Sequence, residues 1–200
     1  MDILSERYKE KNNRMDCKPD SHGEIERYLF LDIDGVLDTN RYCNYLIDQD
    51  EDDYDEDGTI FDPEAVENLK IIMDNVPNLK IVISSSWRFK GWKWMNDLWA
   101  RRKMPGKIFE MTPGLEKVSF YTDFLQLGGS YSVIPYGTRG LEIYEWLRNN
   151  AGHNPLTYKY VIIDDNTVDF LLIQKDHLIN TNPWDGLTKE VAVKAIEKLL

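Results

Sequence analysis

Two aspartates one residue apart, Asp32 and Asp34, close the apolar run Tyr28–Leu31 in "YLFLDIDGVLDT", with Gly35 directly after them and a further acid at Asp38. An apolar run of this length reads as a buried strand, and carboxylates at its end need a partner or a task. Two other runs end in polar residues in the same way, "KIVI" in Ser84-Ser85-Ser86 and "YVII" in Asp164-Asp165-Asn166. In an open parallel sheet, ligands bind beyond the carboxyl ends of the strands, so these three termini are where chemistry is expected. Carboxylates converging there repel one another unless a cation sits among them. An oxygen-only set with no nearby His or Cys suits Mg²⁺. A carboxylate can also attack phosphorus, provided a second carboxyl protonates the leaving oxygen and then activates water. Asp32 and Asp34 can serve both roles because the chain turns after the strand, and Gly35 permits that turn.

The elements that must position these residues alternate. "RYLFLDI" is a strand, and the acidic stretch after it is mostly loop with a short helix over residues 41–47. "DPEAVENLKIIMDNV" reads as a helix: Asp62 suits the N-cap, Pro63 the first helical position, and Val66, Leu69, Ile72 and Met73 share one face. "LKIVISSSW" is a strand, "GWKWMNDLWARRK" an amphipathic helix, "KIFEMT" a strand and "TRGLEIYEWLRNN" a helix. "YKYVIIDDN" is a strand, "TVDFLLIQK" a short helix, "HLINT" a small strand and "GLTKEVAVKAIEKLL" a closing helix. Alternation with wholly apolar strands predicts an α/β fold, a doubly wound parallel sheet with helices on both faces. Residues 1–25 are polar and rich in turn formers and are expected to be a flexible arm. Residues 26–200 then form one domain carrying an acidic insert at 48–58, and the Gly/Tyr-rich segment 113–137 shows no usable periodicity.

A net charge of −11 argues against nucleic acid or anionic membrane as partners, but Asp48–Asp57 alone holds eight acids and no base, so the remainder carries only −3. No run approaches the ~18 apolar residues of a membrane span, and the N-terminus lacks a signal peptide's apolar core. Cys17 and Cys43 have neither metal nor redox spacing and read as free thiols in a reducing compartment. Cytoplasm is the expected location, with no membrane contact.

Two further patterns have a chemical reading beside a plainer one. "DYDEDGTIFDPE" matches the twelve-residue calcium loop, with Asp53, Asp55 and Asp57 at its first, third and fifth places, Thr59 at the carbonyl-donating seventh and Glu64 at the twelfth. Ca²⁺ is the ion such a loop takes. No strong helix enters it and there is one copy, so a solvated acidic loop is favoured. "WRFKGWKWMNDLWARRK" holds four of the six tryptophans among basic residues, the composition of a surface that stacks bases and holds phosphates. Trp92, Met95 and Trp99 recur at helical spacing and so read mostly as core, leaving Arg88, Lys90 and Lys93 as candidate substrate contacts.

"FLDIDGVLDT", "IVISSSWR", "TRGLEIYEWL" and "YVIIDDN", in this order, resemble the four motifs of the haloacid-dehalogenase-like (HAD) phosphohydrolases. The form of the second and third is most similar to the HAD domain of Swiss-army-knife RNA repair proteins, and more distantly to the 3′-phosphatase module of polynucleotide kinases. The resemblance runs from Tyr28 to the C-terminus. It implies Asp32 as nucleophile and Asp34 as general acid, then base. It also implies an Mg²⁺ site made by the Asp32 carboxylate, the Asp34 backbone carbonyl and Asp165, with Asp164 and Asp169 in supporting or water-mediated contacts. Ser84, or alternatively Ser85, would donate to the phosphoryl oxygens. Arg139, opening its helix, fits the basic third motif, with Lys117 as the competing residue.

About fifty residues separate the first two motifs, enough for the core helix but little else, so a minimal cap or none is expected. An open site suits a bulky phosphomonoester such as a polynucleotide end, with nucleotides and other small phosphomonoesters the second class. The different reading is a non-catalytic or calcium-responsive binding module on the same fold, and the intact set of acids favours the enzyme.

Overall fold

A computed structural model describes residues 25–114, 138–151 and 154–200. The expected arm, most of the Gly/Tyr-rich segment, Lys117 and Cys17 therefore lie outside the described residues. Within them, five strands form one parallel sheet: β1 (Glu26–Leu31), β4 (Leu79–Ile83), β5 (Ile108–Met111), β6 (Tyr158–Asp164) and β7 (Leu178–Asn180). Their order is β5-β4-β1-β6-β7, which puts β1 at the centre. Two short strands, β2 (Tyr54–Asp55) and β3 (Gly58–Thr59), pair as a separate hairpin within the acidic insert.

Side chains alternate across the sheet, and both faces are covered. Leu29 and Leu31 of β1 join Ile81 and Ile83 of β4 and Val161 and Ile163 of β6 on one face. That face is packed by α2 (Pro63–Asn75), α3 (Trp92–Arg101) and α5 (Lys189–Leu199). Tyr28, Phe30, Val82 and Ile162 point the other way, onto Ile143, Trp146 and Leu147 of α4 (Thr138–Asn150). Residues buried on both sides must be apolar at every position, so these strands read as unbroken runs rather than alternating ones. Full burial of each such side chain contributes about 1.5–3 kcal/mol. The second face is aromatic: Trp146 meets Tyr28 and Phe30 edge-on, at centroid distances of 5.0 and 5.3 Å. The fold is the doubly wound parallel architecture expected.

Local signals also appear where expected. Asp62 caps α2, its carboxylate accepting from the Glu64 N–H, with Pro63 at the first position. The helix in the acidic stretch is α1 (Asn40–Asp48), capped by Thr39, whose hydroxyl accepts from the Tyr42 N–H and donates to Asp62. Two readings need correction. The helix expected over "TVDFLLIQK" is a 3₁₀ helix at Leu172–His177, with the chain before it in bends. Its start is set by tertiary contacts: the Gly140 N–H donates to the Asp169 carbonyl, and Gln174 binds back to the Gly140 carbonyl and the Leu171 N–H. Trp92 is exposed rather than core, and Met95, Leu98 and Trp99 form the buried stripe of α3.

Candidate active site

The carboxyl ends of β4, β1, β6 and β7 are stitched side by side. The Ser84 N–H donates to the Leu31 carbonyl, the Asp32 N–H to that of Ile163, and the Thr181 N–H to that of Asp164. This lateral pairing brings the three sequence-distant motifs to one edge of the sheet. Directly after β1 the chain coils, with the Val36, Leu37 and Asp38 N–H groups all directed at the Ile33 carbonyl. Gly35 takes the left-handed φ of +67° needed there, and a β-carbon at this position would lie 2.6 Å from Asp165 Oδ2. Glycine is thus what allows the turn to lie against the β6 acids.

Asp32 is 2% exposed, with Oδ1 accepting from the Ile33 N–H at 2.8 Å. Its other oxygen is ion-paired with Arg139, whose same Nη1 also contacts Asp164. Arg139 lies in the first turn of α4, so the helix that packs the aromatic face also delivers the cation. Burial opposes its charge, but Asp32 and Asp164 outweigh that and hold the guanidinium above its ordinary value. Carboxylate oxygens of Asp32, Asp164 and Asp165 lie within 4.8 Å of one another, which makes them, among the described residues, a set able to hold an ion. Burial, then the Asp32 charge, pushes Asp164 and Asp165 up from the usual carboxylate range against the pull of Arg139. An oxygen-only cluster of this kind fits Mg²⁺. Asp169 stands outside it, accepting from the Asn166 amide at 2.9 Å.

The serine pair divides clearly. Ser85 Oγ caps the 3₁₀ turn Ser86–Lys90 by accepting from the Trp87 N–H, whereas Ser84 Oγ is fully buried and has no partner among the described residues. The same holds for Thr112 Oγ1 and Trp146 Nε1, so Ser84 shares an unmet hydrogen-bonding capacity with other buried groups.

Arg88 is turned inward. Its guanidinium donates to the Ser84 and Ser85 carbonyls and forms a 2.5 Å ion pair with Glu142 of α4, both side chains being 6% exposed. It ties the serine loop to the helix that carries Arg139. Burial, ahead of the opposing pull of Glu142, lowers its pKa from the ordinary arginine value. Lys93 pairs with Asp97, and Lys90 donates to the Asp57 carbonyl.

The residues with calcium-loop spacing are met by turn N–H groups and by arginines. Asp55 Oδ1 caps its own turn, accepting from the Asp57 and Gly58 N–H groups, and pairs with Arg102. Asp57 takes both arms of Arg101, the Thr59 carbonyl accepts from Arg102, and Glu64 pairs with Arg41. Among the described residues their carboxylates are not gathered into one cluster with Asp53; arginines meet Asp55, Asp57 and Glu64 one by one.

Two residues given no catalytic or substrate part from sequence belong to the site. The Trp87 indole Nε1–H donates to Asp34 Oδ1 at 2.8 Å. Asp38, 8% exposed, accepts from the Gly35 N–H at 2.8 Å. Burial, with Asp34 and Asp32 nearby, pushes Asp38 up to about 7 despite that hydrogen bond. Asp34 itself is exposed at the mouth of the site.

No helix among the described residues is long and apolar enough to cross a membrane. Comparison with curated proteins and with solved structures finds no match. Residues 28–192 match the family described as the HAD domain in Swiss Army Knife RNA repair proteins, a span that contains every strand end described above except the first residues of β1. That match covers most of the chain, and the chain belongs to this family of phosphatase-type HAD domains.

Proposed function

We propose that the protein is an Mg²⁺-dependent phosphomonoester hydrolase working through an aspartyl-phosphate, with nucleic-acid ends or nucleotides as substrates. The observation that carries this reading is the Asp32 carboxylate, buried at the end of the central strand and aimed into a cluster of acids and one arginine. Asp32 attacks phosphorus as the ester P–O bond breaks, and the Asp34 carboxyl gives its proton to the leaving oxygen. Asp34, now a carboxylate, takes a proton from water as that water attacks the aspartyl-phosphate. Inorganic phosphate leaves and Asp32 is regenerated. The Ser84 hydroxyl donates to a phosphoryl oxygen, and the Arg139 cation offsets negative charge beside Asp32.

Asp32, Asp165 and the Asp34 carbonyl would hold Mg²⁺, with Asp164 beside them; when bound, the ion reduces repulsion between the carboxylates and the incoming phosphate. The RNA-repair setting of the family supports a polynucleotide end as substrate. The test is phosphate release with Mg²⁺ from 3′- and 5′-phosphorylated oligonucleotides, mononucleotides and sugar phosphates. Asp32→Asn is expected to abolish turnover while circular dichroism stays unchanged. Full activity in that variant, or no release from any ester, overturns the reading.

A further inference from the structure

Asp34 sits exposed on a turn, where a carboxyl samples several rotamers unless something holds it. The Trp87 indole holds one oxygen: it is a donor with no acceptor function, so Oδ1 accepts and a proton on this carboxyl is favoured on Oδ2, with Asp38 as a second neighbour. The contact favours one orientation of the carboxyl and one oxygen for its proton.

Trp87 is itself held by the acidic hairpin. Gly58, at φ +132°, lies so close under the indole that a β-carbon there would come within 2.8 Å of Trp87 Cη2. Phe61 and Trp94 pack on the ring at centroid distances of 5.8 and 6.0 Å, and Lys90 lies over it at 4.9 Å. Lys90 also binds the Asp57 carbonyl, while Arg101 and Arg102 clasp the Asp57 and Asp55 carboxylates. The contacts form a continuous series from the end of α3 through the hairpin and the indole to Asp34.

We propose that Trp87 is a positioning residue for the proton-transferring carboxyl of Asp34, and that the acidic hairpin is the part that keeps Trp87 in place. This rests on the phosphatase reading above. It gives the insert at 48–58 a task in proton transfer to the leaving group.

The test compares two esters. An aryl ester such as p-nitrophenyl phosphate leaves without needing a proton, whereas an alkyl phosphate needs one. Trp87→Phe removes the N–H and shortens the side chain while keeping an aromatic ring beside Phe61. It is expected to lower kcat on the alkyl ester roughly 10–100-fold, leaving KM and the aryl ester within about threefold. Asp57→Ala is expected to give the same pattern in weaker form. An equal fall on both esters, or none on either, overturns the proposal.

A second readout needs no turnover. In ¹⁵N-tryptophan-labelled protein, Asp34→Ala is expected to move the Trp87 indole N–H resonance upfield and speed its exchange with water. Asp57→Ala is expected to move the same resonance. If Asp34→Ala leaves it in place, the contact is refuted. If the wild type hydrolyses neither ester, the phosphatase reading and the kinetic role fall together, and the resonance alone decides the contact.

Discussion

Arg139→Ala removes the cation shared by two buried carboxylates, Asp32 at 2% and Asp164 at 0% exposure. Deleting one partner of a buried ion pair costs about 3–5 kcal/mol, because the charge left behind has neither water nor a counter-ion. For a chain of this size each kcal/mol moves Tm by about 2–4 °C, so a fall of about 6–20 °C is expected at pH 8 in EDTA. The loss depends on pH, and its sign follows from Asp164. Burial and Asp32 already push Asp164 up to about 7 from 3.8, against the opposing effect of Arg139. Without the arginine that opposing effect is gone, and the folded chain binds a proton at Asp164 more readily still. A carboxyl whose folded pKa is raised favours the folded state as pH falls through that pKa, so the variant regains stability between pH 8 and pH 5.5. Thermal unfolding across that range, with Arg139→Lys as the charge-retaining control, is the assay. Millimolar Mg²⁺ is expected to restore part of the loss. A destabilisation below about 1 kcal/mol at pH 8, or one that does not vary with pH, refutes the reasoning.

Ser84→Ala separates stability from activity. Its hydroxyl is buried without a partner among the described residues, so the variant is expected to unfold within about 1 kcal/mol of the parent, while phosphate release falls about 100-fold. The Arg88–Glu142 pair is expected to behave in the opposite way. Arg88→Met alone costs about 3–5 kcal/mol in urea unfolding, and Arg88→Met with Glu142→Leu recovers most of it, since an apolar pair leaves no buried charge unmatched. A double variant no more stable than the single shows that the pair is not what tethers the serine loop to α4.

The sheet and the edge that bears the site were legible because buried parallel strands leave unbroken apolar runs, and Asp32, Ser84 and Asp164 follow such runs directly. The cap of α2 was legible for a similar reason, since Asp62 and Pro63 act within one turn. What the sequence could not show is which partner a side chain meets far along the chain. Asp55, Asp57 and Glu64 have calcium spacing, yet their charges are met by Arg102, Arg101 and Arg41. Arg88 follows the serines as a substrate-contacting arginine would, yet Glu142, fifty-four positions on, draws it inward. Trp87 and Asp38 belong to motif-bearing segments, but nothing local marks an indole as the partner of Asp34.

The place of β1 has a consequence for how the protein comes into being. Arg27 pairs with Leu79 and Glu26 with Tyr158, so the central strand waits for neighbours that lie about fifty and about one hundred and thirty residues downstream. Contacts this remote in sequence form late, because a long stretch of chain must be closed before they repay it. On a ribosome, Asp32 is made well before Arg139, which neutralises it, and before β6, which flanks it on one side; both lie more than one hundred residues downstream. The nascent chain therefore carries an incomplete strand edge around Asp32 until α4 and β6 have been made and have docked.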